Sequence, residues 1–201
     1  MKPRSIICVL DSGIGGLPYL AHIRRSLPNE EYLYLSDREF FPYGEKHPDD
    51  LRLRLKKIVA WILQHQQLKV KAFVLACNTA TVVGLEFLRK EFPDSVFVGV
   101  VPAIKPAARD SRGVVGVIAT LRTTVDPYLS GLIDSWATHV RVETLGAGEL
   151  VRFVEDRLYM GDDPAPLLMP IIERLRAAQV DTLVLGCTHF LHVIDQLTAL
   201  C

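Results

Sequence analysis

No apolar run in the chain approaches the roughly 18 residues that a membrane span needs, so a spanning helix is not expected. Charge of neither sign is in excess, with 23 basic and 23 acidic side chains. That balance excludes a general attraction to nucleic acid or to an anionic membrane. Cysteine is scarce: Cys8, Cys77, Cys187 and Cys201 form no C-x-x-C, which argues against a disulfide framework and suits a reducing compartment. The glycines and prolines are scattered, without a low-complexity block or a flexible linker. The start is basic and then apolar, but Ile6 to Leu10 is too short for the apolar core of a signal peptide, and the glycines beyond Asp11 suit a turn better than a cleavage site. These absences describe a soluble, cytoplasmic protein. Its 201 residues allow one or two domains with a real core.

What is present is an alternation. Short apolar, β-branched runs at Ile6–Leu10, Tyr32–Leu35, Ala72–Ala76, Val96–Val101, Val114–Ala119, Val140–Leu145 and Thr182–Gly186 read as strands. Most are continuously apolar, as expected of parallel strands covered on both faces. Between them lie segments of helical period. Leu51, Leu55, Ile58, Val59 and Ile62 share one face of a helix over 51–63, with Arg and Lys mostly opposite. A second helix over 167–178 follows Pro164 and Pro166, with Pro170 in about its first turn. Alternating strand and helix predicts an α/β fold of doubly wound parallel sheets.

The chain also repeats itself. Val70-Lys-Ala-Phe-Val-Leu-Ala-Cys77-Asn78-Thr79 aligns with Val180-Asp-Thr-Leu-Val-Leu-Gly-Cys187-Thr188-His189 at an offset of 110 residues. At an offset of 108, Ile6–Ser12 aligns with Val114–Thr120. Two pseudo-symmetric α/β domains, 1–101 and 102–201, would explain both matches.

In open α/β sheets, ligands collect at the carboxyl ends of the strands. Four polar clusters fall there: Asp11-Ser12-Gly13, Cys77-Asn78-Thr79, Thr120, and Cys187-Thr188-His189. A lone cysteine at a strand end is more often structural than reactive. Two cysteines in matched register, each followed by polar side chains, favour chemistry. Inverting a stereocentre by proton transfer needs a base on one face of the carbon and an acid on the other, and the roles exchange in the reverse direction. A pair of thiols suits that task. Cys8, in mid-strand, and Cys201, at the chain end, are expected to have no role. Cys187, His189 and His192 fit no common zinc spacing, so no metal is expected. Asp11-Ser-Gly-Ile-Gly-Gly16 has neither the dinucleotide nor the P-loop pattern, so no nucleotide cofactor is expected either. Pro42-Tyr43-Gly44, after the second strand, is a candidate lid.

In this order and spacing, Asp11-Ser-Gly-Ile-Gly-Gly-Leu17, Pro42-Tyr-Gly44, Cys77-Asn-Thr79 and Cys187-Thr-His189 resemble the aspartate/glutamate racemase family, over essentially the whole chain. The resemblance implies an isomerase that interconverts L- and D-glutamate without a cofactor and supplies D-glutamate for peptidoglycan in the cell wall. It also implies two α/β domains with the active site between them, and a homodimer. Carried over, Cys77 and Cys187 would be the two proton carriers, acting on D- and L-glutamate respectively, with Asp11 and His189 assisting the thiols. Asp11, Ser12, Tyr43, Gly44, Asn78, Thr79, Thr120, Glu155, Thr188 and His189 would bind substrate, Glu155 falling where the family often has a glutamate near the site.

The sequence departs from the family in three places. Leu191 follows Phe190 where proline is common, and Leu145-Gly-Ala-Gly148 replaces a usual Cys-Pro. The chain also ends at Cys201, where the family usually continues with elements that return to the first domain, so lower stability and self-association are expected. A racemase for aspartate or another amino acid, a one-thiol lyase or hydrolase, and a non-catalytic binding module are the alternatives. The repeated cysteine disfavours the last two.

Overall fold

The computed structural model describes residues 4–65 and 67–200, so Cys201 lies outside the described residues. The chain divides after Val100 into two compact units.

In the first unit, β1 (Arg4–Asp11), β2 (Glu31–Ser36), β3 (Leu68–Leu75) and β4 (Phe97–Gly99) form one parallel sheet in the order β2-β1-β3-β4. The connections are α1 (Leu17–Ser26), α2 (Pro48–Leu63) and α3 (Asn78–Glu91). The helix α2 buries Leu51, Leu55, Ile58, Val59 and Ile62, the face that the period predicts. It starts three residues earlier than the apolar period does, because His47 caps it by accepting from the Asp49 N–H and Pro48 supplies a first residue that needs no donor. That face packs with Leu75, Val83, Leu88 and Phe97 in one core. A smaller cluster of Ile7, Val9, Val74 and Ala76 fills the opposite side of the sheet.

In the second unit, β5 (Val114–Ala119), β6 (Arg141–Gly146) and β7 (Thr182–Leu185) form a parallel sheet in the order β6-β5-β7. Its helices are α4 (Ile104–Asp110), α5 (Leu121–Thr124), α6 (Pro127–Trp136), α7 (Gly148–Asp156), α8 (Ala165–Ala177) and α9 (Ile194–Leu200). A 3-10 segment over Thr188–Val193 links β7 to α9. Pro170 is the sixth residue of α8, inside the helix rather than in its first turn.

All seven expected strands are present, and both sheets are parallel. The repeat reappears in the topology: β5, β6 and β7 follow the sheet order of β1, β2 and β3. Burial on both faces holds for β1 and β5 only; β3, also central in its sheet, is buried over 73–75 and exposes Lys69 and Lys71 before that. From their second or third residue on, β1 and β5 are buried throughout, while the edge strands β2 and β6 are largely half-exposed. An edge strand lacks a neighbour on one side, so its apolar residues are less completely covered.

Candidate active site

Each unit presents polar side chains where its strands end. In the first, β1 ends at Asp11, which is fully buried. Its Oδ1 accepts from the Gly13 N–H at 2.7 Å, a local turn that fixes the loop carrying Ser12. Gly16 caps α1, and glycine is required there by close approach: a Cβ would lie 2.9 Å from the Ala76 Cβ and 3.0 Å from the Tyr34 hydroxyl. That hydroxyl donates to the Gly13 carbonyl at 2.7 Å and ties the loop to β2.

Cys77 follows β3 and is the N-cap of α3, with Asn78 and Thr79 as the first helical residues, all three buried. The end of a 14-residue helix favours negative charge beside these groups. The Asn78 Nδ2 is buried and has no hydrogen-bond partner among the described residues. Tyr43 and Gly44 form a 3-10 turn, and Tyr43 is 1% exposed, in the same core as Cys77. Burial, and then the charge of Asp37, push its phenol well above the ordinary range.

In the second unit, Cys187 occupies the place after β7. Its φ and ψ of −141° and 134° nearly reproduce the −143° and 123° of Cys77. Thr188 and His189 begin the 3-10 segment, both buried. The Cys187 Sγ lies 3.9 Å from the His189 Nδ1, and the His189 Nε2 lies 3.1 Å from the Glu155 Oε2. The two side chains of that second pair are 2% and 1% exposed. Glu155 comes from α7, so a contact 34 residues apart in sequence completes a thiol–imidazole–carboxylate chain. Such a chain can fix the ring orientation and move a proton to or from sulfur. Thr120 caps α5: its Oγ1 accepts from the Thr123 N–H and donates to the Thr123 hydroxyl.

In the first unit the structure thus brings together Asp11, Ser12, Tyr43, Gly44, Cys77, Asn78 and Thr79, and in the second Thr120, Glu155, Cys187, Thr188 and His189. Cys8 stays in the interior of β1, where burial pushes its thiol up to about 12. His192 pairs with the Tyr159 hydroxyl at 2.7 Å. Among the described residues, no three His, Cys, Asp or Glu side chains are grouped to hold a metal ion.

The sequence reading passed over two residues. Asp37 is the first residue beyond β2, the same strand-end signal that marks Asp11. Arg54 belongs to a helix whose basic residues are expected to face solvent. Its guanidinium instead reaches back to Asp37, with Nε to Oδ2 at 2.9 Å and Nη2 to Oδ1 at 2.5 Å.

The chain is similar to known proteins over most of its length. Glutamate racemase of Pseudomonas entomophila (strain L48) is 46% identical over 196 residues, covering 94% of this chain and 71% of the relative. That of Pseudomonas putida (strain W619) is 45% identical over 183 residues, covering 90% and 68%. Among solved structures, Escherichia coli glutamate racemase, in complex with L-glutamate and the activator UDP-MurNAc-Ala, superposes with a TM-score of 0.86 at 39% identity. That match covers 99% of this chain and 75% of the other. Residues 16–201 match the Asp/Glu/Hydantoin racemase family, a span that includes both strand-end cysteines, and the chain therefore belongs to that family.

Proposed function

We propose that the protein is a glutamate racemase that works through two thiols and no cofactor. The observation that carries this reading is the pair Cys77 and Cys187, alike in register and backbone conformation and each set in a buried polar cluster. One sulfur, as thiolate, removes the α-proton, and the other, as thiol, delivers a proton to the opposite face of the carbon. In the reverse direction the roles exchange. By family pattern, Cys77 acts on D-glutamate and Cys187 on L-glutamate. His189, held by Glu155, manages the proton on Cys187, and Asp11 assists Cys77. Ser12, Thr79, Thr120, Thr188, the backbone at Tyr43 and Gly44, and the Asn78 amide hold the substrate's polar groups. The unpartnered donor of Asn78 suits a carboxylate oxygen. Choice of glutamate rests on the identity of the relatives.

In the cell this activity supplies D-glutamate for peptidoglycan in the cytoplasm, and the family's homodimer is extended to this chain. The described residues contain no helix long and apolar enough to cross a membrane. The test is incubation of the purified chain with L- or D-glutamate, without pyridoxal phosphate, followed by circular dichroism. Loss of optical activity from either enantiomer, with uptake of solvent deuterium at the α-carbon, is expected. An unchanged signal from both would overturn the assignment.

A further inference from the structure

The hydroxyl of Thr81 joins three main-chain segments at the end of β3. Thr81 is the fourth residue of α3, four positions after Cys77, and is 2% exposed. Its Oγ1 lies 2.9 Å from the Cys77 carbonyl oxygen and 3.2 Å from that of Leu75, the last residue of β3, so one proton is shared between the two. The same oxygen accepts the Val100 N–H at 3.1 Å. Val100 follows β4 and is the last residue of the first unit.

A threonine inside a helix often returns its hydroxyl to the carbonyl four residues back, and that bond alone would be a local matter. Here the other two partners come from β3 and from the segment beyond β4. The methyl group of the side chain lies over Gly99, where a Cβ would overlap it, and this packing aims the hydroxyl at the strand end.

What is held is the peptide that carries Cys77. Its carbonyl accepts from both the N–H and the hydroxyl of Thr81, and the Leu75 carbonyl also accepts the Val100 N–H at 3.3 Å. Carbonyls 75 and 77 bracket the point where strand gives way to helix. With both fixed by one oxygen, the direction of the Cys77 Cα–Cβ bond, from which the sulfur hangs, is fixed as well.

We infer that Thr81 is a positioning residue for Cys77: its hydroxyl clamps the peptide of that cysteine to the end of β3 and to Val100, and so sets the point from which the sulfur exchanges a proton with the α-carbon. This inference rests on the two-thiol reading of the site.

The experiment compares Thr81→Val, Thr81→Ser and Thr81→Ala, with thermal midpoints recorded alongside kinetics. Valine keeps the shape, but apolar carbon contacts settle at about 3.5–4.0 Å, so its methyl would push both carbonyls away. Thr81→Val is expected to lower kcat/KM about tenfold through misplacement of the sulfur, and Thr81→Ser, which keeps the hydroxyl, to stay within about threefold of wild type. Thr81→Ala also lacks the hydroxyl, should resemble Thr81→Val, and carries the measurement if Thr81→Val does not fold. The primary isotope effects on kcat/KM for glutamate deuterated at the α-carbon give the readout that lost stability would not move. When proton transfer at Cys77 becomes slower, the effect should grow for the D-enantiomer, whose proton Cys77 removes, and shrink for the L-enantiomer. The inference is overturned if serine is as poor as valine, or if both isotope effects stay at their wild-type values while only the thermal midpoint falls. Cys77→Ala, measured in parallel, separates the two claims: full activity there would remove the two-thiol reading itself, whatever the Thr81 variants give.

Discussion

Cys77 and Cys187 close their respective strands with φ values of −143° and −141°, yet they meet different partners. Cys187 has an imidazole 3.9 Å from its sulfur, backed by a carboxylate. Cys77 caps a long helix, in a core that it shares with the Tyr43 phenol. One backbone solution has thus been used twice and furnished differently each time.

Replacing either sulfur should be decisive. Cys77→Ala and Cys187→Ala are each expected to lower racemisation by at least about a hundredfold, the range for a lost general acid or base. Initial rates by circular dichroism check this, and turnover near wild type in either variant would defeat the two-thiol scheme.

The imidazole chain gives a graded prediction. Glu155→Gln and His189→Asn should each reduce kcat by roughly ten- to a hundredfold, for want of an oriented proton carrier beside Cys187. The double variant should fall less than the product of the singles, since both side chains act through one sulfur. Steady-state kinetics of the three variants decides it.

Two glycines should resist enlargement. A Cβ on Gly16 would meet Ala76, next to Cys77, and one on Gly186, next to Cys187, would lie 2.9 Å from the Ala119 Cβ and 3.1 Å from the Ile118 carbonyl. Backbone and neighbouring Cβ atoms cannot swing aside, so Gly16→Ala and Gly186→Ala should each destabilise by about 1–3 kcal/mol. Because the displaced segments carry Asp11 and Cys187, activity should drop even where the variant is fully folded. Denaturant midpoints and kcat measured together test this.

Cys8 provides a pH signature. Burial raises its thiol from the ordinary 9.0 to about 12, so above pH 9 the unfolded chain releases a proton that the folded chain retains. Its contribution to stability is whole below pH 9 and is lost progressively between pH 9 and about 12, by about 1.4 kcal/mol per pH step at most. Cys8→Ala should remove that slope while leaving racemisation within about twofold of wild type. Urea unfolding of both proteins across this range is the measurement, and parallel curves would count against it.

The strands were legible because their signal is local: a β-branched apolar run between polar ends needs no knowledge of the rest of the chain. The matched cysteines were legible because a repeat compares the sequence with itself. What escaped was side-chain reach. No periodicity shows that Arg54 leaves the polar face of its helix for Asp37, 17 residues earlier. The pairing of His189 with Glu155 depends on how α7 packs beside the segment after β7; the resemblance implied a glutamate near the site but not its partner. The start of α2 lies ahead of the apolar period that marks it, because capping by His47 and Pro48 precedes that period.

The unequal furnishing of the two cysteines has a thermodynamic consequence for the proposed reaction. Enantiomers have the same free energy in water, so their equilibrium constant is one, and kcat/KM must be identical in the two directions however dissimilar the two half-sites are. The dissimilarity can appear only in how that common quotient is divided between kcat and KM. A substitution beside His189 that lowers kcat/KM in one direction must therefore lower it equally in the other. Any variant for which the two quotients differ has been measured wrongly or is no longer catalysing a simple inversion.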